Sequence, residues 1–368
     1  MPAGLQLATM IRGAATLIGL WIAGGAGGPS TPRVDGLPIP LVVTERVRHD
    51  SDDPAIWVNS ADPARSLVLG TDKHEDGSLY AFDLAGRVVK RVPGLERPNN
   101  VDVEYGLALG GQLVDIAVVT ERRGDSLRIF RLPELVPIDG GPIPVFCGEA
   151  QRGPMGVGLY KRPSDAAVFA ILSRKSGPAR DYLWQYRLED GGSGVVKAAK
   201  VRAFGAFSGR GGIEAVAVDD ALGFVYYADE RVGVRKYRAD PEDPDAGREL
   251  ALFATDRFAR DREGISIYTM NDGMGYILVS DQQVGRFHVY PREGVLGDPH
   301  SHPCLKSVKT SAVGSDGSEV TNAALGAVFP AGLFVAMSDD GTFHFYAWPQ
   351  IAGSDLSVAP DGVRPGPR

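Results

Sequence analysis

Short apolar runs separated by turn-forming residues recur from about residue 40 to residue 350. Ala55-Ile56-Trp57-Val58, Asp115-Ile116-Ala117-Val118-Val119, Ala167-Val168-Phe169-Ala170-Ile171-Leu172, Phe224-Val225-Tyr226-Tyr227-Ala228 and Gly275-Tyr276-Ile277-Leu278-Val279 are examples. They are β-branched or aromatic and bounded by Gly, Asp, Asn or Pro, which reads as strand. No window of about 12 residues combines a 3.6-residue apolar period with capping residues, so long helices are not predicted.

The runs come in pairs. Leu67-Val68-Leu69-Gly70-Thr71-Asp72 leads through a turn to Leu79-Tyr80-Ala81-Phe82-Asp83, and Asp115–Thr120 leads to Leu127–Phe130. Phe169–Ser173 precedes Leu183–Tyr186, Val225–Asp229 precedes Val234–Tyr237, Tyr276–Ser280 precedes Phe287–Tyr290, and Leu333–Met337 precedes Phe343–Tyr346. Hairpins spaced by roughly 45–60 residues leave room for a four-stranded antiparallel sheet per repeat. Six such units predict an all-β fold, a six-bladed β-propeller, with the first strand of each pair near the axis. A two-sheet sandwich would account for the strands but not for their period.

Composition agrees. The 368 residues include 47 glycines and 26 prolines, the turn content of many short strands. With 39 basic and 46 acidic residues the net charge is −7, so neither nucleic acid nor an anionic membrane is an expected partner. An anionic substrate would require clustered Lys and Arg, or bound cations, to reverse the field locally.

The N-terminus reads as a secretory signal over residues 1–28. Arg12 is followed by the apolar run Ala14–Ala23 and the small residues Gly24–Gly28. The run is short for a membrane span, although an uncleaved anchor is the alternative. The expected organisation is a linker over 29–44, the propeller over 45–352 and a disordered tail over 353–368, whose Pro, Gly and Asp carry no apolar pattern. A secreted or periplasmic monomer without stable membrane insertion follows, since a closed propeller leaves no long sheet edge. Cys147 and Cys304 could pair in an oxidising compartment or remain separate thiols.

Carboxylates and amides crowd the predicted loops: Asp52-Asp53, Asn99-Asn100-Val101-Asp102, Glu214, Asp229-Glu230, Asp261-Arg262-Glu263 and Asp316-Gly317-Ser318-Glu319. Lys73, Arg122, Arg123 and Lys175 each follow a strand. Carboxylates converging on one axis would repel unless cations held them, and oxygen donors suit Ca²⁺ or Mg²⁺ better than zinc. No nucleophile elbow or P-loop is present. A calcium-dependent lactonase or phosphotriesterase-like propeller, or a non-catalytic propeller binding module with structural calcium, would account for such axial carboxylates.

The segments Asp52-Asp53-Pro54-Ala55-Ile56-Trp57, Asn99-Asn100-Val101-Asp102, Gly158-Leu159-Tyr160 and Val201-Arg202-Ala203-Phe204 resemble the β-propeller phytases, the alkaline, calcium-dependent 3-phytases of bacteria. So do Glu214 with Val218-Asp219-Asp220, the run Asp261–Tyr268, Gly332–Ala336 and Trp348, in the same order. The resemblance implies a hydrolase of phytate, myo-inositol hexakisphosphate, with several Ca²⁺ ions in an axial cleft. It implies phosphate contacts from Lys73, Arg122, Tyr160 and Lys175. It further implies calcium ligands or water-orienting groups among Asp52, Asp53, Asn100, Asp102, Glu214, Glu230, Asp261, Glu263, Gln282 and Asp316, with Glu230 and Glu263 counted as catalytic. In-line attack by a metal-activated water is the expected chemistry. The sequence departs from the family at Ser176, at the shortened Asp339–His344 segment and at Glu319.

Overall fold

The computed structural model describes residues 36–359. The segment read as a secretory signal therefore lies outside the described residues, as do 29–35 of the linker and 360–368 of the tail.

Six antiparallel sheets form six blades. Blade 1 runs Ser51–Trp57, Leu67–Asp72, Gly77–Phe82 and Val88–Leu95, each strand pairing with the next. Blades 3, 4 and 5 repeat this meander over 154–206, 216–253 and 262–309. In blade 2 the outermost strand is split into Val136–Pro137 and Ile143–Pro144. Blade 6 contributes Ser318–Thr321, Leu333–Ser338 and Thr342–Ala347, and its fourth strand is Val42–Val43 from the other end of the chain, in register Val42↔Phe345. The expected linker is thus partly a strand of the propeller.

The first strands of successive blades pack on one another in a closed ring around a narrow channel of about 50 Å³, lined by residues including Asp53, Val103, Leu159, Val218, Ile267 and Glu319. The hairpins legible in the sequence are the second and third strands of each blade. The axial strand is the one before each pair, which corrects the expected placement. Four of the axial strands are bulged where they join their neighbour, between Ser51 and Pro54, Pro98 and Val101, Pro154 and Val157, and Arg262 and Ile265. A bulge breaks the two-residue alternation that marks a strand.

Apolar clusters fill the interfaces between blades. Leu69 and Ala81 face Val101, Ala117 and Val119 of blade 2, while the neighbouring Val68 and Phe82 face Val335 and Phe343 of blade 6. Both faces of a middle strand are therefore buried, and such strands read as unbroken apolar runs. Hydroxyls at the ends of the second strands of blades 1, 2, 3 and 5 latch each of those blades to the next. Thr71 Oγ1 donates to Asn99 O (2.7 Å), Thr120 Oγ1 to Met155 O (2.6 Å), Ser173 Oγ to Ile213 O (2.5 Å) and Ser280 Oγ to Ser315 O (2.6 Å). These latches fix the points from which the axial strands begin.

Order extends past the expected end of the propeller. Tyr276 and Tyr268 hydroxyls accept the N–H groups of Ser357 (2.8 Å) and Ala359 (3.0 Å), and Trp348 Nε1 donates to Ser357 O (3.2 Å). Residues 353–359 thus differ from the expected disordered tail, because two tyrosines and a tryptophan of blades 5 and 6 bind their backbone. Cys147 and Cys304 are both free thiols. No helix among the described residues is long and apolar enough to cross a membrane.

Candidate active site

One register position recurs in every blade. The residue just past the second strand turns its N–H back to the segment leading into its own blade. Lys73 donates to Asp50 O (2.6 Å), Arg122 to Arg97 O (3.0 Å) and Lys175 to Gly153 O (2.9 Å). Glu230 donates to Gly212 O (3.3 Å), Gln282 to Asp261 O (3.3 Å) and Asp339 to Val313 O (2.9 Å). Blades 1–3 therefore place cations at this position, and blades 4–6 place oxygen ligands.

A second set begins the axial strands: Asp52, Asn99, Met155, Glu214, Glu263 and Asp316. Each precedes by two residues the pairs Pro54↔Gly70, Val101↔Val119, Val157↔Leu172, Val216↔Tyr227, Ile265↔Val279 and Ser318↔Ala336. The two sets interlock at one end of the channel. Lys73 Nζ lies 2.6 Å from Asp52 Oδ1 and 2.9 Å from Asp316 Oδ2. Gln282 Nε2 donates to Asp316 Oδ1. Lys175 Nζ is 3.5 Å from Glu214 Oε1, and Asn99 Nδ2 is 3.5 Å from Glu214 Oε2.

Three carboxylates meet beside Lys175. Glu214, Glu230 and Glu263 each bring an oxygen within 4.8 Å of the other two. Backbone crowding fixes Glu230. A Cβ on Gly211, whose φ is +106°, or on Gly212 would lie 2.4 Å from its carboxylate oxygens. Burial, and then repulsion from Glu214 and Glu230, pushes the Glu263 carboxyl well above its usual value. Burial raises Asp52 likewise, with Asp316 and Glu214 adding and Lys73 opposing. Burial by itself would lower Lys73, yet Asp52, Asp316 and Glu214 outweigh it and the amine is held firmly charged. Asp52 Oδ2 and Glu263 Oε2 are buried with no hydrogen-bond partner.

Of the residues singled out in the sequence, Asp52, Lys73, Lys175, Glu214, Glu230, Glu263, Gln282 and Asp316 are the ones these contacts bring together, and others lie elsewhere. Asp261 is not part of the three-glutamate cluster, and its oxygens meet Arg231 (3.0 Å), Arg260 (2.8 Å) and Gln283 Nε2 (2.9 Å). Asp53, Asn100 and Asp102 line the channel further in, where Asp53 accepts the Val101 N–H (3.3 Å) and Asp102 the Leu159 N–H (2.8 Å). Tyr160 is not at the site. It sits near the other end of the strand Pro154–Lys161, buried against Phe169 at 5.9 Å, and burial, with Asp240 and Asp220 nearby, pushes its hydroxyl up to about 12.

Asp50, Arg97 and Asp339 were missed. Asp339 is at the same register position as Lys73 and is exposed to the charge of Asp316 and Asp50. The repeated triplets Thr71-Asp72-Lys73, Thr120-Glu121-Arg122, Ser173-Arg174-Lys175, Ala228-Asp229-Glu230, Ser280-Asp281-Gln282 and Met337-Ser338-Asp339 were the available signal. Among the described residues Arg97 and Arg122 have no side-chain hydrogen-bond or ion-pair partner. Burial and mutual repulsion lower Arg122, with Glu214 and Asp52 opposing.

A family model described as Phytase matches residues 42–347. The 3-phytase of Bacillus subtilis (strain 168) is 30% identical over 333 residues, covering 84% of this chain and 82% of that protein. A solved luciferin-regenerating enzyme aligns with TM-score 0.49 and 14% identity over 88% of this chain and 98% of its own. The Dos1 propeller aligns with TM-score 0.43 and 11% identity over 81% and 68%.

Proposed function

The chain belongs to the phytase family and releases phosphate from phytate as a 3-phytase, and on that premise we propose that calcium is its metal and that water attacks phosphorus directly. The observation that carries this reading is the Glu214–Glu230–Glu263 cluster with its orphaned Glu263 oxygen, set beside Lys175. The donor set fits a hard cation, being carboxylate and amide oxygen with no sulfur or imidazole. Glu214, Glu230 and Glu263 would hold one ion, and Asp52, Asp316 and Gln282 a second. When bound, calcium supplies charge neutralisation for the phosphate dianion and a lowered pKa for water.

The protein's own groups do the rest. Lys73, Arg122 and Lys175 face the mouth as a cationic arc, and Arg122 is uncommitted to any side chain, ready for phosphate oxygens. Pre-placed cations meet the charge that builds on those oxygens in the transition state without reorganising. No nucleophilic side chain is required, so phosphorus inverts. A neutral ester needs no such arc, which separates this site from a lactonase. We further propose that the mature protein is a secreted or periplasmic monomer acting on phytate as its calcium complex.

The test is phosphate release from phytate with calcium and with chelator, for wild type and Lys175→Ala. Calcium-dependent release that collapses in the variant supports the reading, and full activity in chelator refutes it. A chiral phosphate ester should give net inversion, and retention would remove direct attack.

A further inference from the structure

In five blades the residue closing the second strand accepts backbone N–H groups from the segment leading into the same blade. Asp72 accepts from His49 (3.1 Å) and Asp50 (2.8 Å), Glu121 from Glu96 (3.1 Å) and Asp229 from Ser208 (3.0 Å). Asp281 accepts from Ala259 (3.0 Å) and Ser338 from Val313 (3.3 Å). Blade 3 inverts the polarity. Its residue is Arg174, whose Nη1 donates to Gln151 O (3.2 Å) and to Glu149 Oε2 (2.9 Å).

Arg174 is held tightly. Its side chain is 1% exposed and its guanidinium lies 4.9 Å from the Phe146 ring, 5.6 Å from Tyr182 and 5.9 Å from Trp184. Gly177 makes room for it, since a Cβ there would lie 2.5 Å from Nε. An aromatic cage of this kind stabilises a cation that has left water. The segment that Arg174 anchors ends at Gly153, whose carbonyl accepts the Lys175 N–H. Gly153 also lies between the two clamp cations: the position a Cβ would take there is 3.9 Å from both Arg122 Cγ and Lys175 Cβ, an ordinary contact distance. Lys175 needs such support, because its side chain is 48% exposed and its single ion pair, to Glu214, is long. An acid at position 174, as in four other blades, would place a competing negative charge next to it.

We propose that Arg174, with Glu149, is a positioning residue for phosphate binding. It fixes residues 149–153 and thereby holds Arg122 and Lys175 as a preset pair at the mouth. The role rests on the phytase reading of that mouth, and because both cations remain when their support is lost, it acts chiefly on substrate affinity.

Steady-state kinetics on phytate in saturating calcium test this, with calcium binding followed calorimetrically and the Trp184 environment by fluorescence. Arg174→Met keeps the bulk in the cage and deletes the donors. It should raise KM about tenfold with kcat within about twofold and calcium binding unchanged. Glu149→Gln acts from the surface without disturbing the cage and should raise KM about threefold. Arg174→Lys should recover most of the loss. An unchanged KM in Arg174→Met or, if that variant does not fold, in Glu149→Gln overturns the proposal. So does a fall in kcat together with lost calcium binding, which marks a general structural role. A wild-type enzyme inert towards phytate would instead overturn the underlying reading, and the Trp184 signal would still report whether Arg174 holds its segment.

Discussion

Replacing Glu263 by Gln should stabilise the calcium-free protein while weakening its response to calcium. The oxygens of Glu214, Glu230 and Glu263 lie within 4.8 Å of one another. At an effective dielectric of about 20, two unit charges at that distance repel by about 3.5 kcal/mol. Glu263 faces both partners, but proton uptake caps the penalty, so the expected gain at pH 8 is about 2–3 kcal/mol. For a domain of this size that is a rise in Tm of about 3–5 °C. The sign of the pH dependence follows from the raised carboxyl. The folded state binds the Glu263 proton more tightly than the unfolded state, so wild-type stability falls as pH rises through the unfolded value of about 4.3 toward the folded one. The advantage of Glu263→Gln therefore vanishes below about pH 4 and grows above it. Calcium restores the wild type by mass action and leaves the variant with less. Thermal melts in chelator and in calcium, from pH 4 to pH 8, measure all of this. A variant that melts at or below the wild-type temperature in chelator at pH 8, or a difference that ignores pH, would refute the reasoning.

Three further outcomes are expected. Tyr160→Phe should leave kcat/KM on phytate within about twofold, since the hydroxyl is remote from the mouth, and a loss of tenfold or more would restore the phosphate-contact role. His302 is pushed down to about 4 by burial and by Lys236, whose Nζ lies 3.2 Å from its Nε2. A depressed folded value gives stability that is present above pH 6.5 and lost as pH falls to 4, about 3 kcal/mol in all, and denaturant titrations of His302→Gln should lack that slope. Thr120→Val removes the latch from blade 2 to Met155 O and should lower stability by about 1–2 kcal/mol in the same assay, more than an exposed Thr→Val change elsewhere.

The blades were legible because their middle strands are buried on both faces, and the register of the site was legible because it follows those strands. Lys73, Arg122, Lys175, Glu230 and Gln282 come from one repeated position, so finding the hairpins nearly suffices to find them. The axial strands were harder, since the bulge in four of them erases the alternation. Tyr160 shows how a family segment misleads: it lies on the same strand as Met155, but five residues further along at about 3.3 Å per residue is some 16 Å from the mouth. Asp261 shows the limit of composition. Three neighbours, Arg231, Arg260 and Gln283, claim its oxygens, and none of those contacts follows from spacing. The Val42–Phe345 pairing joins residues too far apart in sequence for any local pattern to announce it.

That pairing also orders events in time. Thr44 N–H donates to Phe343 O (3.0 Å), the Phe343 N–H to Thr44 Oγ1 (2.9 Å), and Val47 N–H to Gly341 O (2.9 Å). The residues that close the ring on one side are synthesised first, and their partners last. Five blades can collapse on neighbours already made, whereas the sixth is complete only when Phe343 and Phe345 meet the strand Val42–Val43. Until then two flanks of the propeller stay open, and Asp52 of blade 1 cannot reach Asp316 of blade 6 across Lys73. The charged mouth is therefore assembled only once blade 6 has joined blade 1, and a product that stops short of blade 6 lacks the Asp316 side of it.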